Sequence, residues 1–259
     1  MNKRQWIVAG IVLAVATAMT SCNIGHIRIT TDDGDRVTQV RHHKDFEEID
    51  ISGSPTVVYT QADSFSVHVE GPEEQVKNIL TNVEGKVLYI HNRGKIGIFN
   101  ITTGNAETTV YVTSPDLVAV SLSGSGDFRS HYRVDTDELN IVLRGSGDIS
   151  FDDIICDHCT TDLTGSGDIN INRLEAQTSN VTLVGSGDVD VEQVKVRETE
   201  VLLRGSGDVV VNFVEGCRKA DCQLTGSGDI TLKGHLQRYN GHKNGSGDIH
   251  INDLTIENR

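Results

Sequence analysis

Residues 143–151 read Leu-Arg-Gly-Ser-Gly-Asp-Ile-Ser-Phe, and the four letters Gly-Ser-Gly-Asp at their centre occur seven times in this chain. Successive copies are separated by steps of 21, 20, 20, 20, 21 and 19 residues. Such a regular period is typical of a solenoid, in which each repeat buries its apolar side only against its neighbours. Glycine permits positive φ and close backbone approach, while Ser and Asp bond nearby amides, so the motif predicts a turn. The copies begin at Gly124, Gly145, Gly165, Gly185, Gly205, Gly226 and Gly245.

The residues on both sides of each turn alternate between apolar and polar. The first and third residues after the Asp are apolar, as in Ile169 and Ile171, and a leucine such as Leu163 stands two residues before the first glycine. This alternation predicts half-buried strands, about three short ones per unit. We therefore predict an all-β fold, a single parallel β-helix with one repeat per coil, in which equivalent side chains stack at roughly 4.8 Å. Leucine-rich repeats share the period but alternate strand and helix, so they rank second.

The N-terminus predicts export. Residues 1–5 include two basic side chains, and residues 7–19 are apolar apart from Thr17 and too short to span a bilayer. Small residues then precede Cys22, which resembles the lipobox of bacterial lipoproteins. The resemblance implies a lipoprotein signal peptide at residues 1–21 and lipid on Cys22; ordinary signal cleavage is the alternative. Residues 22–45 are predicted to be a lipid-anchored flexible tether that ends in an edge strand at Val37–Val40.

The composition is acidic, with 37 Asp and Glu against 23 Lys and Arg and a formal charge of −14. Removal of the signal would take away Lys3 and Arg4 and make the charge more negative still. The sequence has no basic stripe, so nucleic acids and anionic lipid surfaces are poor partners.

Residues 46–116 are β-rich but fall outside the 20-residue register. We predict that they form an N-terminal cap continuous with the coils of residues 117–259. Gly53-Ser54-Pro55 is interpreted as a degenerate turn of the repeat, and Gly94–Gly104 as a loop or hairpin. Pro72–Leu80 predicts one short helix from its leading proline, its early acids and its apolar face. Strands are predicted at Thr56–Thr60, Ser64–Val69, Lys86–His91 and Thr108–Thr113.

The order of these features is similar to that of the putative auto-transporter adhesin family with a head GIN domain. The features are the lipobox, a Phe46-x-x-Ile49 leader, a strand at Ser64–Glu70, the stretch Val110–Leu117 and the serial Gly-Ser-Gly-Asp turns. The resemblance covers residues 46–259. It implies a right-handed parallel β-helix in the bacterial cell envelope, with an adhesive or binding role.

The motif aspartates are predicted to stack in one ladder along the solenoid. Neighbours about 5 Å apart repel by only ~1 kcal/mol in water-like surroundings. We interpret each carboxylate as an acceptor for backbone N–H groups of its own turn, and predict no cofactor. Calcium is the alternative, although calcium-binding β-rolls repeat every nine residues or so. The ladder consists of Asp127, Asp148, Asp168, Asp188, Asp208, Asp229 and Asp248.

The cysteines are predicted to be core residues. Cys156 and Cys217 occupy the same place in their units as Ala176, which puts them in one buried column about 14 Å apart, too far to share a zinc ion or a disulfide. Cys222 is placed in a second inward column. Local disulfides, Cys156–Cys159 or Cys217–Cys222, remain open, with buried free thiols as the other state.

A β-helical carbohydrate-active enzyme, either a polysaccharide lyase or a glycosidase, is the alternative function. Asp152, Asp190 and Glu192 are predicted to lie on one outward wall. Lys and Arg are sparse there, however, and no insertion long enough to build a cleft interrupts the coils. We therefore predict no catalytic residue and no metal ligand.

The sequence thus predicts a non-catalytic lipoprotein anchored in the bacterial outer membrane through Cys22, with the domain facing the periplasm or the cell surface. As an adhesin or scaffold, it would present a polar face of the solenoid to a glycan or protein ligand. In the last unit Gly241 and Lys243 replace the usual apolar pair, and no polar cap follows Ile256. We expect a second copy or another partner to cover this end.

Overall fold

The computed structural model describes residues 26–31, 34–93 and 108–257, and this part of the chain forms a β-solenoid. Its strands belong to one continuous sheet, and one helical turn interrupts them. The N-terminal elements are β1 His26–Thr31, β2 Gly34–Arg41, β3 Glu48–Gly53, β4 Thr56–Gln61, β5 Ser66–Pro72, α1 Glu73–Val76, β6 Ile79–Glu84, β7 Val87–Asn92 and β8 Thr109–Ser114.

The regular coils follow from residue 119. Each coil adds one strand to each of two walls, and all these strands pair in parallel with their equivalents in the next coil. The strands are β9 Ala119–Gly124, β10 Asp127–Asp135, β11 Glu138–Gly145, β12 Asp148–Ile155, β13 His158–Gly165, β14 Ile169–Glu175, β15 Thr178–Gly185, β16 Val189–Gln193, β17 Glu198–Gly205, β18 Val209–Gly226, β19 Ile230–Gly245, β20 Ile249–His250 and β21 Leu254–Ile256.

Equivalent residues stack in columns, so the predicted parallel β-helix is confirmed. Leu163 pairs with Leu143 on one side and with Leu183 on the other, and Leu203 pairs with Leu183 and Leu224. All five side chains are buried. Burial of each leucine contributes roughly 1.5–3 kcal/mol, and the column makes that gain depend on the neighbouring coil. The expected three short strands per coil are merged into two elements, because the strand that follows each turn usually continues through a bend.

Aromatic side chains pack in the core of the N-terminal coils. Ser130 lies in the column between Tyr59 and Phe151, where a small side chain leaves space. Phe128 occupies that space, with ring centroids 6.2 Å from Tyr59 and 5.2 Å from Phe151. The loss of volume at Ser130 is thus compensated by its neighbour two residues earlier, which keeps the core close-packed.

The motif turns stack directly on one another. The carbonyl of Gly165 accepts hydrogen bonds from the amides of Ser186 and Gly187 in the next coil, at 2.8 and 3.3 Å. Gly165 has φ of +142°, which favours glycine, and a Cβ at Gly187 would clash with the carbonyl oxygen of Gly167. Both glycines are therefore required, one for its φ and the other for the close approach of consecutive coils.

Gly53-Ser54-Pro55 is the first turn of this stack, as predicted. Gly53 pairs with Gly124 and has φ of +109°. β3 and β4 on either side of it form the first coil and pair with β9 and β10. The chain then leaves the solenoid register until β9.

The excursion extends both walls at the N-terminal end. β7 and β8 pair in parallel with β3 and β4. Beyond them the pairing is antiparallel: β6 pairs with β7, β5 with β8, β2 with β5 and β1 with β2. The strands predicted here are present, with shifts of up to three residues at their ends.

The predicted helix at Pro72–Leu80 is shorter than expected. α1 is a single turn, and Ile79 already begins β6, where it pairs with Asn92 of β7. Val76, Ile79 and Leu80 suggested a longer helix, but Val76 ends the helical turn and the other two begin the next strand. Arg41 of β2 fixes this exit, because its Nη2 donates to the carbonyls of Val76 and Ile79, both at 3.2 Å.

The strand predicted at Val37–Val40 is part of β2, which pairs with β5 from Arg36 to Arg41. The prediction that it is an edge strand was wrong, because β1 pairs along its other side. Ordered structure thus begins within the segment predicted to be a tether. The signal peptide, Cys22 and the predicted hairpin at Gly94–Gly104 lie outside the described residues.

The C-terminal coil is partly covered by its own side chains. Gly241 pairs with Cys222, and the ring of Tyr239 lies over it, since a Cβ at Gly241 would clash with the Tyr239 hydroxyl. Lys243 Nζ bonds the carbonyl of Gly247 at 3.1 Å and pairs with the Asp248 carboxylate. Within residues 108–257, no further strand pairs with the outer edge of β19 beyond Leu236.

We expect Gly187→Ala to destabilise the solenoid by about 1–3 kcal/mol, because the added methyl must push apart two coils. Ser186→Ala is the matched control, since Ser186 is exposed and adjacent. Denaturant unfolding followed by circular dichroism measures both variants. Equal midpoints for the two variants would contradict the stacked-glycine explanation.

Candidate ligand-binding surface

The motif aspartates join consecutive coils. Five of the seven carboxylates, from Asp148 to Asp229, accept a hydrogen bond from the backbone N–H of the aspartate one coil later, as Asp188 Oδ1 does from Asp208 N at 2.9 Å. The prediction that each carboxylate binds its own turn was wrong. The Ser and Gly amides of each turn already donate to the preceding coil's glycine, so the carboxylate takes the next amide along the axis. The other bonds of this kind run from Asp168 to Asp148, Asp188 to Asp168, Asp229 to Asp208 and Asp248 to Asp229.

At Asp229 such a bond favours the charged carboxylate. The backbone N–H of Asp248, followed by His250, holds the pKa of Asp229 below its ordinary value. Asp127 pairs with Arg129 Nη2 at 2.7 Å, and Asp248 pairs with Lys243. In the described part of the chain, no group of three or more His, Cys, Asp or Glu side chains is placed to hold a metal ion.

The four described cysteines are buried and free. Cys217 pairs with Leu236 and Cys222 with Val201, which are the columns predicted for them. Burial raises the pKa of Cys222 to about 12, so this thiol stays protonated at neutral pH.

The predicted acidic wall does not bring its carboxylates together. Asp152 Oδ1 accepts from Asn172 Nδ2 at 2.9 Å. Asp190 pairs with Asn170, so asparagines of the intervening coil separate Asp152 from Asp190 and its neighbour Glu192. Partial burial raises the pKa of Asp190; Lys233 opposes this and Glu192 adds to it. The wall is a surface of alternating amides and carboxylates.

An exposed tyrosine interrupts this wall at the first 21-residue unit. Ser130 pairs with Phe151 and Arg133 with Asp153, so two residues of β10 face one residue of β12. The extra residue forms a β-bulge, a feature that redirects side chains. It presents Tyr132, which is 66% exposed, and places His131 Nδ1 3.4 Å from Asp152 Oδ2.

An ion-pair network continues from the bulge along the part of each coil that follows the bend, such as residues 173–175 of β14, which we call the third side of the coils. Asp153 binds Arg133 Nε at 2.8 Å and Arg173 Nη1 at 2.7 Å. Arg173 also binds Glu175 at 2.9 Å, and Glu175 lies 3.7 Å from Lys195 Nζ. Partial burial raises the pKa of Asp153, but the hydrogen bonds from both arginines outweigh it and hold the pKa below its ordinary value. Each charge in this network is already partnered.

Residues 45–218 match the family described as "Putative auto-transporter adhesin, head GIN domain". The chain belongs to this adhesin family. Membership confirms the predicted family and supports a non-catalytic, adhesin-like role at the cell envelope or surface. No helix in the described residues of this adhesin-family protein is long and apolar enough to cross a membrane.

Solved structures share the fold of this adhesin-family chain. A putative adhesin from Bacteroides fragilis is 24% identical, with a TM-score of 0.67 over 83% of this chain and 96% of that one. A putative lipid binding protein from Parabacteroides distasonis is 22% identical, with a TM-score of 0.65 over 87% and 96%. A putative adhesin from the same organism is 20% identical, with a TM-score of 0.63 over 84% and 97%. No curated protein matches the chain.

The exposed Tyr132 was missed in the sequence, although a signal for it existed. The step from Gly124 to Gly145 is 21 residues, one more than each of the next three steps. Because the inward columns stay in register, the additional residue must bulge outward, and the residue types beside it identify a candidate contact.

Removal of one ladder carboxylate tests its role in joining coils. We expect Asp188→Ala to destabilise the adhesin-family chain by about 1–2 kcal/mol, because the Asp208 amide loses its acceptor. Asp188→Asn keeps an Oδ1 acceptor and should cost less than half as much. Chemical unfolding at neutral pH distinguishes the two variants, and an equal loss in both would show that charge, rather than the hydrogen bond, is the important property.

Proposed function

We propose that this chain is a non-catalytic lipoprotein of the outer membrane that binds a glycan on the polar wall beside Tyr132. The observation that carries the proposal is the bulge itself. It exposes a tyrosine next to Asp152 and Asn172, whose side chains are held in place by their mutual hydrogen bond. Tyrosine offers a large, rigid, amphipathic contact at low entropic cost, which suits a binding surface.

The neighbouring coils add hydrogen-bonding groups at regular spacing. Asn170 and Asn172 lie one coil from Ser150 and Asp152, and Asp190 and Glu192 lie one coil further. Amides and carboxylates at steps of about 4.8 Å can bond the hydroxyl groups of an extended polymer at several points. A polar, open wall of this kind favours binding over catalysis, since the carboxylates are dispersed and no described loop covers them.

We expect the purified full chain, kept in non-ionic detergent, to bind a subset of sugars on a glycan array, and Tyr132→Ala to reduce that signal by about tenfold, a typical loss for an aromatic anchor. Val184→Ala is the control, because Val184 is also exposed, at 39%, but belongs to the other wall. Signals that survive Tyr132→Ala unchanged, or an array with no bound sugar, would contradict the proposal.

The anchor and the partner at the C-terminal coil are part of the same proposal. We expect wild-type protein in the membrane fraction and Cys22→Ser in the soluble fraction, because the serine cannot carry the acyl chains.

We expect light scattering of the soluble variant to give the mass of two chains, joined at the outer edge of β19. Membrane retention of Cys22→Ser would contradict the lipid anchor, and a single-chain mass would contradict the self-association.

A further inference from the structure

The second irregular stretch of the repeat lies near the C-terminal end. Phe213 pairs with Gly234 and Cys217 with Leu236, so three residues of β18, Val214 to Gly216, face only His235 of β19. These are the consecutive 21- and 19-residue units of the sequence. The inward columns of the two units keep their register. The two-residue difference in length between the units is therefore absorbed at the outer surface, on the third side.

A groove of about 440 Å³ opens at this step. Its floor is the buried column of Val196, Cys217 and Leu236. Three basic side chains, one histidine and two acids line its sides: Lys195, Arg197, Arg218, His235, Glu215 and Glu257.

Two arginines stand side by side in this groove. Arg218 N donates to Arg197 O at 2.9 Å, which places the two residues at the same position of adjacent coils, and both are exposed. Among the described residues, neither guanidinium has a carboxylate partner. The arginines of the ion-pair network, Arg133 and Arg173, are each bound to Asp153. In a chain with a formal charge of −14, an adjacent arginine pair without a carboxylate partner is a place for a ligand anion.

We propose that this groove binds the carboxylate of an acidic sugar, a uronic acid unit of a polysaccharide. Guanidinium groups bind carboxylates through paired, charge-assisted hydrogen bonds. Glu215 and Glu257 lie in the same groove and need donors, which sugar hydroxyls supply. The same two acids would repel a densely sulfated or phosphorylated polymer. An added peptide strand cannot pair with β19 in the groove, because β18 and β21 occupy both of its edges at Gly234 and Leu236.

This inference rests on the proposed glycan-binding function and names the ligand class more closely. The test measures binding of oligogalacturonate to the full chain in non-ionic detergent, with neutral oligogalactose, dextran sulfate and polyglutamate as the other probes. Arg197→Gln/Arg218→Gln should weaken oligogalacturonate binding by about tenfold or more, since charge-assisted hydrogen bonds are lost. Added salt should weaken wild-type binding in the same direction.

Arg144→Gln/Arg204→Gln is the matched control, because it removes the same charge from two exposed arginines on the other wall, and its binding should stay within about twofold of wild type. The groove is not the binding site if both double variants weaken binding equally or if Arg197→Gln/Arg218→Gln has no effect. The ligand is not a uronic acid if dextran sulfate or polyglutamate binds as tightly as oligogalacturonate or more tightly. Tyr132→Ala separates the two proposals: loss of binding in that variant alone keeps the glycan-binding function and removes the groove from it, whereas no binding of any probe contradicts the groove.

Discussion

The contact between the second motif glycine and the glycine carbonyl one coil below is the constraint on which the rest of this solenoid depends. At Gly187 that contact leaves no room for a side chain, and the neighbouring Gly165 carbonyl accepts two amides at once. The turn therefore has one position relative to the coil below. Once it is fixed, the two-residue period of the strands sends every second side chain inward and aligns it with its equivalent. The leucine column, the buried cysteines and the aspartate ladder are consequences of that alignment.

The same constraint explains where the chain can vary. A residue added to or removed from one unit cannot shift the turns or the inward columns without breaking many contacts. The change is therefore absorbed on the outside of the coil, as a bulge at Tyr132 and as a groove beside Arg197 and Arg218. Coils of equal length form a flat wall, whereas coils of unequal length form bulges and grooves that a ligand can recognise. The two places of unequal length also carry the adjacent arginine pair and Tyr132, the most exposed aromatic ring among the described residues.

Most of the fold could be predicted because the sequence shows both the 20-residue period of the coils and the two-residue period of the strands. The spacing of the glycines gave one coil per unit, and the alternation around Leu163 and Ile169 gave the inward columns. The hydrogen-bond partner of Asp188 could not be predicted, because it depends on which amides the turn below leaves free. Helix α1 was overestimated because Ile79 and Leu80 suit a strand as well as a helix. Tyr132 and the arginine groove were missed because steps of 19 and 21 residues look like minor irregularities until the register of the paired strands shows which side of the coil absorbs them.

The charges on the third side divide into two kinds, and the division bears on binding. From Arg133 to Lys195 the acids Asp153 and Glu175 lie against bases, so this network offers a ligand little net charge. Arg197, in the same coil as Lys195, and Arg218, in the next coil, break that pattern. The tyrosine bulge and the arginine pair are separated by three to four coils, about 15–19 Å at the strand spacing. A polymer that lies along the axis can contact both places at once, with the second contact made at high effective concentration. Weak individual contacts then suffice for adhesion, which accounts for a surface with several shallow features and no single deep pocket among the described residues.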